Sequence, residues 1–130
     1  MPHVLRRLSA LAITSLLAIG WGCGSGAPPV DSSTTEATVK GTVTIRGKAA
    51  KGGKINFDPS NIERKTEVAR SAEIGPDGSY TIKTLVGQNQ VTFSGPAFVK
   101  DAQLQDSQLQ YNVPEGESTY NIELPPAAGP

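Results

Sequence analysis

The stretch Gly75-Pro76-Asp77-Gly78-Ser79-Tyr80-Thr81-Ile82-Lys83 joins a tight turn to the start of a strand. Its proline fixes one backbone dihedral, its aspartate tolerates turn geometry, and the second glycine supplies a positive φ, so the first four residues predict a turn. Tyr80 and Ile82 then alternate with polar residues, which is the period-two pattern of a strand with one buried face. The stretch therefore predicts a turn leading directly into a half-buried strand.

The same alternation predicts further strands on both sides of this turn. The clearest lies upstream, where Val39, Gly41, Val43 and Ile45 share one face. The other expected strands cover residues 54–57, 66–74 (an edge strand), 88–94, 108–113 and 118–124. No helix of ten residues or more is expected here, and residues 98–104 predict one helical turn or a loop. Six or seven short strands in residues 37–124 predict an all-β fold, as a β-sandwich or an open barrel.

The N-terminus has the pattern of a secretory signal. Arg6 and Arg7 precede an apolar run over residues 8–19, and small residues follow. The run of about 12 apolar residues is too short to span a hydrocarbon core, which needs about 20. We therefore expect an exported protein with a signal peptide at residues 1–22.

Cys23, the only cysteine, follows the apolar run where bacterial lipoprotein signals place their modified cysteine. The segment resembles a lipobox: Gly22 suits the position before the cysteine, whereas Trp21 and Gly20 are poor matches. This resemblance implies a lipid (palmitate) on Cys23. The alternative is ordinary cleavage between residues 24 and 27, which leaves no anchor.

Residues 23–36 are rich in Gly, Ser, Pro and Thr and predict a flexible linker that carries the lipid. A β-sandwich domain at residues 37–124 and a disordered tail at 125–130 complete the expected organisation. Gly24 after the cysteine favours the outer over the cytoplasmic membrane, with the domain in the periplasm or at the cell surface.

Several short motifs resemble those of carboxypeptidase regulatory-like domains. They are Val39-Lys40-Gly41-Thr42-Val43, then Gly52-Gly53-Lys54-Ile55-Asn56-Phe57, then Asp77-Gly78-Ser79-Tyr80-Thr81-Ile82, and finally Leu85-Val86-Gly87. The resemblance implies an antiparallel, seven-stranded, transthyretin-like sandwich with Ig-like layering and no catalysis. With the lipobox and linker, the chain also resembles small lipoproteins of planctomycete-type bacteria. It departs from the domain family in having Gly53 where Ala is usual and in its long segment 97–116.

The composition offers little material for catalysis. His3, the only histidine, and Trp21, the only tryptophan, both lie in the expected signal. Catalytic bases near neutral pH are most often histidines, and zinc sites need His or Cys clusters. Neither Asp58 with Glu63 nor Asp101 with Asp106 has the density of a calcium loop. We therefore predict no enzyme, no catalytic, cofactor-binding or metal-binding residue, and no cofactor.

The charge balance disfavours nucleic acid as a partner. The whole chain has 12 basic and 12 acidic residues, and removing Arg6 and Arg7 leaves ten basic residues and a mildly acidic mature chain. The predicted partners are the membrane, through the lipid on Cys23, and an envelope protein or a glycan.

Two aromatic residues are candidates for a contact surface. Alternation places four others on inward faces: Phe57, Tyr80, Phe93 and Tyr120. Phe98 and Tyr111 lie in the irregular segment, where they either cap the sandwich or contact a partner or ligand. Three hypotheses follow: a non-enzymatic envelope lipoprotein whose sandwich is an interaction or structural module, a glycan- or peptide-binding module, and an accessory subunit of an envelope enzyme. The second requires both side chains to face solvent, and the third requires a large exposed apolar patch.

Overall fold

The computed structural model describes residues 30–127, so the predicted signal peptide, Cys23 and the last residues of the predicted tail lie outside it. Nine strands and two short helices follow one another in this part of the chain. The strands are β1 (Glu36–Ile45), β2 (Lys48–Ala49), β3 (Lys54–Asp58), β4 (Arg70–Glu73), β5 (Ser79–Leu85), β6 (Gly87–Ser94), β7 (Leu109–Val113), β8 (Glu117–Thr119) and β9 (Ile122–Leu124). The helices, between β6 and β7, are α1 (Pro96–Val99) and α2 (Ala102–Gln105).

The strands form two sheets packed face to face, which confirms the predicted all-β sandwich. In the first sheet β1 is central, with β2 and β5 antiparallel on one edge and β8 and β9 on the other. The second sheet is antiparallel throughout, in the order β4-β3-β6-β7. Alternate residues of both sheets point inward and form one core that includes Val39, Val43, Ile55, Phe57, Val91 and Leu124.

The closing strand differs from the prediction. The expected single strand at 118–124 is split into β8 and β9, and both run parallel to β1. Between them the Tyr120 backbone approaches β1, and its N–H donates to the Lys40 carbonyl at 2.8 Å. A Cβ atom at Gly41 would collide with the Tyr120 carbonyl oxygen, so only glycine fits there. Because the chain bends at this point, Tyr120 is half-buried. The prediction that Tyr120 is a core residue is therefore wrong.

The predicted edge strand at 66–74 is shorter in the structure. Only β4 pairs with β3, and residues 59–69 form a loop. Val68, expected on the inward face, is 72% exposed in this loop. The alternating pattern of Val68, Ala72 and Ile74 therefore continues into the loop, where Val68 has no strand partner.

The strand register places four connections at one end of the sandwich. Glu36 at the start of β1 pairs with Leu85 at the end of β5, and Asp58 at the end of β3 pairs with Gln90 near the start of β6. The incoming segment 31–35, the loop 59–69, the β5–β6 corner and the turn 114–116 thus share an end, here called the entry end. The opposite end carries α1 and α2 and is called the helix end.

The incoming segment 31–35, which lies within the predicted linker 23–36, is hydrogen-bonded to the domain. Asp31 accepts a hydrogen bond from the Gln88 N–H at 2.6 Å through its carboxylate, and its carbonyl accepts one from the Asn61 amide at 2.9 Å. The Thr35 carbonyl accepts from the Val86 N–H at 2.9 Å. Residues 31–35 therefore belong to the folded unit, and at most residues 23–30 are left as a tether.

Candidate functional site

Phe98, one of the two predicted contact residues, is fully buried. Helix α1 turns its ring inward, where it stacks on Phe93 with ring centroids 5.4 Å apart. Gly53 has a positive φ of 92°, and a Cβ atom there would lie 2.7 Å from the Phe98 ring. Phe98 therefore caps the core at the helix end and cannot contact a ligand in this conformation, which removes it from the predicted exposed surface.

Tyr111, the other predicted contact residue, is half-buried and belongs to a tyrosine cluster. Its ring stacks on Tyr120 at 4.1 Å with an interplanar angle of 7°. Tyr111 lies on edge strand β7 of one sheet and Tyr120 beside the edge of the other, so the stack closes one open side of the sandwich. Tyr80 reaches the same place, and its hydroxyl donates to the Tyr120 carbonyl at 2.6 Å.

The chemistry of this cluster is that of neutral phenols. Burial raises the pKa of Tyr80 well above its ordinary value, and the phenols of Tyr120 and Tyr111 add to the increase. Burial is also the main reason that the pKa of Tyr120 is raised, with Tyr111 contributing. Such groups stay protonated near neutral pH, so they hold the sheets together and offer no base or nucleophile.

The outer face of the second sheet is a polar surface of mainly uncharged side chains, here called the amide face. Gln88 donates to Gln110 at 2.6 Å, and Gln90 donates to Gln108 at 2.9 Å across β6 and β7. The amide face is formed by Asn56, Ser71, Gln88, Gln90, Thr92, Ser94, Gln108, Gln110 and Asn112. Its charged side chains lie toward the two ends: Lys54 pairs with Glu73 at 3.3 Å, and Asp58, the last residue of β3, lies opposite Gln90. Its signal in the sequence is the outward half of the alternating run 88–94, where Gln88, Gln90, Thr92 and Ser94 follow one another at every second position.

Arg64 is a second feature that sequence reasoning missed, because it lies in a polar loop. The side chain is only 3% exposed. Its guanidinium donates to the carbonyls of Ser33, Val86 and Gln88 at 3.0, 2.9 and 3.2 Å. These bonds join three segments of the entry end: the incoming chain, the loop 59–69 and the β5–β6 corner. Its Nε is buried without a hydrogen-bond partner among the residues of the structure.

Comparison with known proteins gives a fold and no family. No protein-family model matches the sequence, and no curated protein matches it either. Among solved structures, the chain is similar to a DUF3823 family protein from Parabacteroides merdae, with 20% identity, a TM-score of 0.52, and coverage of 68% of this chain and 45% of that one. A DUF3823 family protein from Bacteroides ovatus (15% identity, TM-score 0.46, 68% and 42% coverage) and the Bacillus anthracis TIE protein (18%, 0.48, 69% and 16%) are less similar in structure.

At these identities the similarity concerns the fold alone. The chain spans less than half the length of each of these three proteins. The carboxypeptidase regulatory-like resemblance is not among these similarities and stays a prediction.

The surface of residues 30–127 includes two grooves of interest, and these residues form no cluster of metal ligands. No group of three or more His, Cys, Asp or Glu side chains converges in this part of the chain. A groove of about 150 Å³ lies beside β1 at Glu36, Thr38, Lys83 and Gly116, which is small for an organic ligand. A broader groove of about 540 Å³ at the helix end is lined by α2, the residues that follow it, and the two prolines after β9. Within the same residues no helix has the length and apolarity to cross a bilayer.

Proposed function

We propose that this chain is an exported, lipid-anchored envelope protein whose β-sandwich is a non-catalytic interaction or structural module. The observation that carries the proposal is the arrangement around Cys23. A charged start and a short apolar run precede the cysteine, and a folded domain begins eight residues after it, at Asp31. Such spacing suits a domain held close to a membrane by a lipid on that cysteine.

The domain itself supports a non-catalytic role. Several of its hydrogen-bonded polar side chains serve structure: Arg64 joins the entry end, and the tyrosine cluster closes one side of the sandwich. The carboxypeptidase regulatory-like resemblance points the same way, since it implies a module without catalysis. The proposed location is the outer or cytoplasmic membrane, with the domain facing the periplasm or the outside.

Metabolic labelling with a fatty acid tests the anchor. The wild-type chain should incorporate label and partition with membranes, and Cys23→Ala should do neither while still being exported. Ser25→Ala is the matched control, because it alters the same segment and leaves the thiol in place. Equal labelling of wild type and Cys23→Ala, or no labelling of either, would refute the proposal.

A second candidate function is glycan binding at the amide face. Side-chain amides and hydroxyls without charge can both donate to and accept from the hydroxyls of neutral sugars. This argument does not use the predicted aromatic pair, since Phe98 is buried. The third hypothesis, an accessory enzyme subunit, has weaker support, because the exposed large apolar residues of the described chain lie at both ends of the sandwich (Val30, Ile62, Val68 and Val99).

Binding to a glycan array tests the proposed glycan binding at the amide face. Gln90→Ala/Gln110→Ala should abolish any binding, because it removes the two central amides of the face. Thr81→Ala/Thr119→Ala is the matched control on the outer face of the other sheet, where both residues flank Lys40. Binding that both double variants lose equally, or that neither loses, would exclude the amide face.

A further inference from the structure

The exposed apolar residues are unevenly distributed over the two ends of the domain. Three of the four large ones in the described chain lie at the entry end: Ile62 at 68% exposure, Val68 at 72% and Val30 at 42%. Val99 at the helix end, 57% exposed, is the fourth. Ile62 and Val68 both belong to the loop 59–69, the longest connection at the entry end.

This loop is held against the incoming chain. The Asn61 amide donates to the Asp31 carbonyl. Ile62 follows Asn61 in the chain and Val30 precedes Asp31, so this hydrogen bond brings the two exposed apolar residues near each other. Arg64, between the two exposed residues of the loop, donates to the Ser33 carbonyl. The exposed apolar residues of the loop therefore lie close to the point where the chain enters the domain.

The length of the tether limits how far this end can lie from Cys23. Eight Cα–Cα steps separate Cys23 from Asp31, and a fully extended chain covers at most about 3.6 Å per step, or about 29 Å in all. The ten residues of β1 span nine Cα–Cα steps, or about 30 Å at 3.3 Å per step. A domain inverted on its helix end would hold its entry end about 30 Å or more from the bilayer, since α1 and α2 lie beyond the strands. Its tether would then be fully extended, so the tether favours the orientation with the entry end toward the bilayer.

We propose that the loop 59–69 is a membrane contact: Ile62 and Val68 insert at the boundary between the lipid headgroups and the acyl chains, and they orient the anchored domain with its entry end on the bilayer. This inference rests on the proposed anchor at Cys23. Two side chains bury too little apolar surface to hold an untethered domain on a membrane, but a tether keeps them at high local concentration there. The contact is apolar in character, since the carboxylates at this end would repel anionic lipid (Asp31, Glu36, Asp58, Glu63, Glu67, Glu115 and Glu117).

Tryptophan fluorescence tests the contact in the mature chain, residues 23–130. This chain has no tryptophan and one thiol, so a maleimide lipid can be coupled to Cys23 and one reporter introduced at a time. On phosphatidylcholine vesicles with brominated acyl chains, Ile62→Trp and Val68→Trp should shift their emission to the blue and be quenched. Val99→Trp, the matched exposed reporter at the helix end, should show neither change.

Two further measurements separate the loop from other causes. Ile62→Asn in the Val68→Trp chain should abolish the quenching, although the reporter itself is unchanged. Quenching that is equal at all three reporters would overturn the inference, as would a blue shift without vesicles that grows with protein concentration, since that would indicate a second copy on the loop. Because the lipid is attached chemically, failure of fatty-acid labelling in cells refutes only the proposed anchor, whereas these outcomes refute the membrane contact.

Discussion

Replacing Arg64 with methionine should detach the incoming chain from the domain. The substitution keeps the aliphatic length and removes the donors to the carbonyls of Ser33, Val86 and Gln88. A buried acceptor left without a partner costs about 1–3 kcal/mol. Gln88 is exposed and Ser33 is half-buried, so water can replace part of the lost hydrogen bonding to their carbonyls. Removing the guanidinium also removes the cost of burying its charge. We expect a net loss of about 3 kcal/mol in the free energy of unfolding.

Urea unfolding and amide hydrogen exchange measure this effect. For a domain of this size about 3 kcal/mol corresponds to a decrease in Tm of about 12–24 °C. Exchange should accelerate most at the Val86 and Gln88 N–H groups, which donate to Thr35 and Asp31 of the incoming chain. Lys65→Met is the control, because Lys65 is the exposed neighbour of Arg64. A loss below about 1 kcal/mol with unchanged exchange at both groups would refute the reasoning.

Three other predictions concern the core and the tyrosine cluster. Phe98→Ala should lower the free energy of unfolding, measured by urea titration, by about 3–5 kcal/mol, because the ring is buried. The control Val99→Ala should change it by less than about 0.5 kcal/mol, because Val99 is exposed. Similar values for both would contradict the buried position of Phe98. Gly41→Ala should cost at least about 1–3 kcal/mol by the same assay, because its Cβ collides with the Tyr120 carbonyl, and a neutral effect would exclude that close approach. The pKa of the Tyr80 phenol is raised by burial above its unfolded value near 10, so its contribution to stability is complete below about pH 10 and declines as the pH rises further. An absorbance titration should show a late-ionising phenol in the wild type that Tyr80→Phe lacks.

The longer strands could be predicted from the sequence because each has one buried face. Val39 and Val43 alternate with polar residues in β1, as do Tyr80 and Ile82 in β5, and any half-buried strand needs this pattern. The turn before β5 was equally predictable, since Gly78 occupies a positive φ of 82°. Local sequence therefore specifies the strands. Strands with one apolar face form sheets with one apolar face, and two such sheets bury these faces against each other as a sandwich.

Pairing of the closing strand could not be predicted in the same way. Parallel and antiparallel neighbours produce the same inward alternation, so Ile122 and Leu124 look alike in either arrangement. The decisive contact is a backbone approach between Gly41 and Tyr120, which are far apart in the chain. A glycine in an alternating strand indicates that something comes close, but the sequence does not say which segment does.

The candidate sites were least predictable, because burial of a polar or aromatic side chain in a loop depends on its tertiary neighbours. Phe98 occurs in a stretch diluted by polar residues, yet the space above Gly53 buries it. Arg64 lies among polar residues that look solvated, and its burial follows only when the incoming chain packs over the loop. In both cases the pattern around the residue describes its own segment and contains no information about the segment that covers it.

The proposed anchor and the amide face acquire a common geometry if the entry end rests on the bilayer. The strands then rise away from the membrane, and β6 leads from Gln88 near the entry end to Ser94 near the helix end, about 20 Å higher along the strand. The amide face therefore stands upright and faces sideways, toward whatever lies beside the protein in the envelope. A partner that binds this face must reach it parallel to the membrane, because the bilayer blocks one end of the strands and α1 and α2 cover the other. Tilting of the domain, as expected for Ile62→Asn, should consequently weaken binding at the amide face without changing any residue of that face.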